Sequence, residues 1–79
     1  MDKNQVFETV KKYILDQLTV NEDRVTENAV IVDDLGADSA NLMMLVMDLE
    51  SEFNMTMEDD AISSIRTVGD IVNYIVEHA

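Results

Sequence analysis

The chain has 79 residues, 47% of them hydrophobic and 28% charged, with a formal net charge of −12. A chain this short makes one domain, residues 1–79, that buries only about 60 to 65% of the surface its unfolded form exposes, so there is little room for a deep catalytic pocket. The acidity disfavours nucleic acid and anionic lipid as partners and points to proteins with basic patches, while the absence of cysteine excludes disulfides, thiolate metal sites and an encoded thiol nucleophile.

In chain order, residues 3–18 place Val6, Phe7, Val10, Ile14 and Leu18 at spacings of three and four, with Lys3, Lys11, Lys12 and Asp16 between them. That pattern predicts an amphipathic helix. Residues 19–38 are predicted as a long loop, pinned by Val25, by Val30 or Ile31, and by Leu35, with room for one helical turn. Its "AVIV" run has no second strand to pair with, which argues against a strand there. From Ser39 to Phe53, Leu42, Leu45, Val46, Leu49 and Phe53 share one face at about 100° per residue, and Asp38 stands where an N-cap acceptor belongs. "EDDAISSI" supplies Ala61, Ile62 and Ile65 for one short helix or turn. Thr67 and Asp70 then form a capping-box variant ahead of Val68, Ile71, Val72 and Ile75, the apolar face of a last helix. The fold class expected is all-α, a four-helix bundle of three longer helices and one short one, with a long first loop. No apolar run approaches the roughly 20 residues of a membrane span, and "MDKNQVFETV" lacks the basic start and apolar core of a signal peptide, so a cytoplasmic monomer is expected.

Between Arg24 and Arg66 there is no lysine, arginine or histidine, while ten carboxylates from Glu27 to Asp60 fall in that interval. A solvated, solubility-promoting face is one reading, and a docking surface for basic partners is the other. Calcium does not explain the cluster. With Gly36 as sixth residue of an EF-hand loop, the first ligand would be Ile31 and the closing glutamate Leu42, and neither side chain coordinates. Glu58, Asp59 and Asp60 are followed by Ala61 and Ile62 rather than the required glycine, and no metal site is expected.

The second helix has an unusual outer face. Opposite Leu42, Val46, Leu49 and Phe53 lie Ala40, Met44, Met47 and Ser51, with Met43 to the side, where an exposed helix would carry polar residues. Either another segment covers these methionines, or they form an adaptable apolar contact surface flanked by Asp48 and Glu50. Ser39, at the start of the same helix, has no base in its neighbourhood. The lone histidine, His78, is one residue from the C-terminus, and "GADSA" lacks the second glycine of a nucleophile elbow. No catalytic residue is assigned. Besides serving as a helix-start residue, an exposed hydroxyl at a helix N-terminus is a place where another enzyme can attach a group, and a phosphodiester there would meet the partial positive charge of the helix end.

The stretch "DDLGADSANLMMLVMDLESEF" resembles the signature of acyl carrier proteins, and "VKKYILDQL", "VTENAVIVDDLGADS" and "RTVGDIVNYIVEHA" are similar to that family's first helix, long loop and last helix. The resemblance implies that Ser39 accepts 4'-phosphopantetheine from coenzyme A through a phosphopantetheinyl transferase, with Asp38 orienting that enzyme. It also implies that the arm's thiol holds acyl intermediates of fatty-acid, polyketide or related lipid biosynthesis as thioesters. The second helix would then dock acyl-loading, elongating and acyl-transfer enzymes through their basic patches.

Three positions depart from the family's usual pattern: Ala40 for leucine, Asn41 for aspartate and Met44 for glutamate. They make the first turns of that helix less acidic and more apolar, so a specialised carrier is expected, with its partners meeting Ala40, Met43, Met44, Met47, Asp48 and Glu50. The alternatives are an unmodified acidic interaction module, in which Ser39 only starts a helix, and a carrier of aminoacyl groups.

Overall fold

Asp2 opens the first helix by accepting from Asn4 N at 2.9 Å, one of the amides that no helical carbonyl can reach. In this computed structural model, which describes residues 2–79, the helix α1 runs over Lys3–Gln17. It stops one residue before the expected end. Leu18 turns extended (φ −118°, ψ 146°) while its N–H still donates to Ile14 O. Val6, Val10 and Ile14 are buried on the predicted stripe, and Phe7 and Leu18 are half-buried beside it.

The connection from 18 to 38 is a structured loop, as the apolar pins imply. It contains one 3-10 turn, Glu22–Arg24, and a second turn over 31–35. Of the two alternatives left open by sequence, Ile31 is the buried anchor and Val30 is half-buried. Val30 forms a single antiparallel bridge with Thr67, and no further ladder develops among the described residues. Val25, Ala29, Leu35 and Ala37 complete the loop's contribution to the core. Two ion pairs, Lys3–Glu27 at 3.3 Å and Lys11–Glu22 at 3.1 Å, tie α1 to this loop.

Helix α2 spans Ser39–Phe53, α3 spans Asp59–Ser64 and α4 spans Val68–His78. The bundle therefore has the three longer helices and one short helix that the periodicity predicts. α1 packs against both α4 and α2, and the core fills with Leu45, Val46 and Leu49 of α2 and Val68, Ile71, Val72 and Ile75 of α4. Met57, between α2 and α3, is buried with them. Asn54 ends α2 in the left-handed region at φ 52°, a conformation asparagine tolerates better than most residues.

The start of α4 shows how the loop and helix satisfy each other. Val68 N donates to Ala29 O at 3.0 Å and Gly69 N to Glu27 O at 2.9 Å, so loop carbonyls take up orphan helix amides. A Cβ at position 69 would lie 3.0 Å from Glu27 O, and glycine is what permits this approach. Thr67 Oγ1 accepts from Asp70 N, while Asp70 Oδ2 accepts from Arg66 N at 3.0 Å and Thr67 N at 3.1 Å. These backbone donors, Thr67 first, hold the Asp70 carboxyl below the ordinary aspartate range. A lowered pKa contributes stability that is present above the ordinary aspartate value of about 4 and fades as pH falls through the lowered one. Asp70→Ala should cost about 1 kcal/mol at neutral pH. In urea unfolding the gap to the parent chain should narrow once the parent's carboxyl protonates.

With 17 acidic residues against 5 basic ones, self-repulsion works against this small core. The melting temperature should therefore rise between low ionic strength and millimolar magnesium, as thermal circular dichroism would register. Equal melting temperatures in the two buffers would show that repulsion is not limiting.

Candidate functional site

The approach to Ser39 is fixed by alternation of buried and exposed residues. Leu35 and Ala37 are buried, whereas Gly36, Asp38 and Ser39 face outward. Asp34 Oδ2 accepts from Val30 N at 2.7 Å and Asp34 N donates to Val30 O at 2.7 Å, which closes the turn before the glycine. Gly36 lies at φ +75°, with open space where a Cβ would be, so the backbone angle and not crowding requires glycine. Gly36 N and Ala37 N then donate to Val32 O and Ile31 O. The chain enters α2 with both anchors in the core and Ser39 held out at the first helical position.

Asp38 is the N-cap predicted from sequence. Its Oδ1 accepts from Asn41 N at 2.9 Å, and Asn41 Oδ1 accepts from Asp38 N at 3.2 Å. This is a reciprocal capping box. Sequence reasoning treated Asn41 only as a lost charge and missed its structural role, although its place three residues after the cap was the available signal. The first turn of α2 carries no acidic residue, so the electropositive helix end next to Ser39 is offset only by Asp38. His78 is engaged within α4, with Nδ1 3.0 Å from Tyr74 O and its ring stacked on Tyr74 at a centroid distance of 4.1 Å.

The methionine stripe is uncovered. Met43, Met44 and Met47 are 45%, 57% and 62% exposed, which sets aside the reading in which another segment of this chain hides them. Ala40 and Ser51, on the same face, are exposed as well. Val32, the other large apolar residue that faces outward among the described residues, is not singled out by the sequence analysis. Alternation along "AVIV" could have found it, because Ala29 and Ile31 point inward and Val32 follows as their outward neighbour.

The carboxylates of α2 are all occupied by neutral donors of the chain itself. Gln17 Nε2 donates to Asp48, Tyr13 Oη donates to Glu52 at 2.6 Å, and Met57 N donates to Glu50 Oε2 at 2.8 Å. The Glu52 hydrogen bond, reinforced by nearby carboxylates, raises the Tyr13 pKa. Asp48 therefore leans to the α1 edge of the stripe, and Glu50 turns toward the α2–α3 connection and fixes buried Met57. Their negative charge remains because none of the three donors is cationic. Among the described residues, no group of three acidic or imidazole side chains converges to hold a metal ion.

Beneath the site, Ile14, Gln17, Leu18, Ile31, Ala37, Asn41, Leu42 and Leu45 line a crevice between α1 and α2 of about 10 Å³, room for roughly one water molecule. Gln17 Oε1 is buried without a partner.

The model of the family described as "Phosphopantetheine attachment site" matches residues 8–75 of this chain. Acyl carrier protein of Thermotoga maritima is 51% identical over 73 residues, covering 92% of this chain and 90% of that one. Acyl carrier protein of Petrotoga mobilis is 48% identical over 77 residues, covering 98% and 91%. Among solved structures, the acyl carrier protein from Enterococcus faecalis superposes with a TM-score of 0.84 at 38% identity, over 100% of both chains.

Proposed function

The chain belongs to the acyl carrier protein family and carries acyl groups as thioesters on a covalently bound 4'-phosphopantetheine arm in fatty acid biosynthesis; on that premise we propose that the arm is attached to Ser39. The observation that supports this most is the outward placement of that hydroxyl, at the first position of α2, by buried Leu35 and Ala37 on either side of the Gly36 turn. The arm supplies the thiol that the sequence lacks, so no encoded thiol competes for the acyl group. The surrounding residues fit a phosphodiester: free N-terminal amides of α2 lie nearby and no first-turn carboxylate repels it. Ser39 contributes the accepting oxygen, Asp38 and Asn41 hold the helix end, and the base comes from the transferase.

The family carries rather than catalyses, and the same role is proposed for this chain, acting as a single cytoplasmic carrier domain over residues 1–79 and as a monomer. No helix among the described residues is long and apolar enough to cross a membrane. A cargo chain housed between α1 and α2 requires those helices to part, because the crevice there admits little more than one water. Incubation with a phosphopantetheinyl transferase and coenzyme A, followed by intact mass, tests the attachment directly: one arm should be gained.

The partner set is proposed to be specialised. α2 offers Ala40, Met43, Met44 and Met47 where a general acyl carrier helix has more acidic character, with Asp48 and Glu50 as its charged flanks. Met44→Glu should strengthen docking to a general ketosynthase with a basic patch, roughly two- to fivefold at low salt. Crosslinking yield or surface binding would measure it, and an unchanged affinity would count against this reading of the face.

A further inference from the structure

Six methionines stand in this chain, and the fold sorts the five described ones by access. Met43, Met44 and Met47 lie on one exposed stripe of α2, Met55 is half-buried, and Met57 is 3% exposed. The stripe is continuous, because residues 44 and 47 are three apart and residues 43 and 47 are four apart on the same helix. No charged residue interrupts the run from Ser39 to Met47. The core face of that helix, Leu45, Val46 and Leu49, contains no methionine.

We propose that Met43, Met44 and Met47 form an oxidation site, at which a two-electron oxidant of the peroxide class converts the apolar stripe to sulfoxides and weakens partner docking without disturbing the fold. In each step the thioether sulfur attacks one peroxide oxygen. An S–O bond forms, the O–O bond breaks, sulfur loses two electrons, and the proton on the sulfur-bound oxygen passes to the departing hydroxide, which leaves as water. A flexible apolar side chain becomes a polar acceptor, and three such changes remove the apolar surface from the helix. The fold is spared because none of the three side chains belongs to the core cluster. Reduction by methionine sulfoxide reductases returns the surface, so the change is reversible.

The oxidation site stands on exposure alone, whereas its effect on docking rests on the reading of Ser39 and α2 given above, and the experiment separates the two. The unmodified full chain is treated with dilute hydrogen peroxide, quenched with catalase and mapped by peptide mass. Oxygen should appear on Met43, Met44 and Met47 at least about tenfold faster than on Met57. Comparable rates at Met57, or lost helicity during the treatment, would overturn the site. The oxidised chain is then given to a phosphopantetheinyl transferase with coenzyme A, and kcat/KM should fall roughly tenfold relative to the untreated chain and recover after sulfoxide reduction. A rate that holds within about twofold would overturn the docking consequence. The triple variant Met43→Leu, Met44→Leu, Met47→Leu should lose the peroxide response whatever its starting rate, and a response that persists would place the sensitive group elsewhere. Failure of the untreated chain to accept the arm would overturn attachment at Ser39 and the docking consequence with it, while the peptide map still decides the oxidation site.

Discussion

Ser39→Ala should abolish arm attachment completely while leaving the helical bundle and its melting behaviour almost unchanged. The two halves of this expectation have separate causes. Ser39 is the first helical residue, not the cap, and the cap is made by Asp38 and Asn41, each side chain accepting from the other's amide without the Ser39 hydroxyl. Alanine is the best helix former and Ser39 is exposed, so stability should stay within about 0.5 kcal/mol. Attachment, in contrast, needs an oxygen at that one place. Several other hydroxyls are engaged elsewhere: Ser63 and Ser64 donate back to carbonyls of α3, Thr9 donates back to Gln5 O in α1, and Thr67 caps α4, while Ser51 lies about three turns further along α2. Intact mass after exposure to transferase and coenzyme A should show the full increment for the parent chain and none for the variant. A full increment in the variant would move the arm to another residue. Unfolding of the variant would show that the serine holds the helix end after all.

Much of this fold is legible because its helices keep one period. The stripes Val6, Val10, Ile14 and Val68, Ile71, Val72, Ile75 were readable, and they are buried as the spacing requires. Cap residues Asp38 and Thr67 were equally readable, since short polar side chains at a helix start have few other uses there. Less was legible wherever the backbone, and not a side-chain pattern, makes the decision. Met57 is buried in the α2–α3 connection, which has no period to mark an inward face. The close approach of Gly69 to Glu27 is a tertiary contact between segments some forty positions apart, and nothing local announces it. The angular position of Glu50 makes it a charged flank of the outer face, but its carboxylate also accepts from Met57 N, a partner that exists only once the α2–α3 connection has folded back. At the candidate site, the serine and its cap could be named from sequence, whereas the exposure of the methionines depended on whether the long loop would cover them.

Leu49→Ala should destabilise the chain by about 2–5 kcal/mol, the range for deleting a buried leucine that leaves a cavity behind. Met47→Ala, two positions earlier on the same helix, should cost less than about 0.5 kcal/mol. The two residues are comparable in size and hydrophobicity, so the contrast isolates position. Leu49 is 0% exposed on the core side of α2, and Met47 is 62% exposed on the opposite side. A domain of 79 residues has about 4–12 kcal/mol in total, and a formal charge of −12 works against the compact state. At low ionic strength Leu49→Ala should therefore be substantially unfolded by circular dichroism, and millimolar magnesium should restore much of its helicity by screening the carboxylates. Magnesium cannot refill the cavity, so the variant should still melt below the parent in the same buffer. Equal losses from the two substitutions would mean that the methionine stripe packs against something in the folded chain, which would remove the free surface on which both the specialised docking and the oxidation site depend.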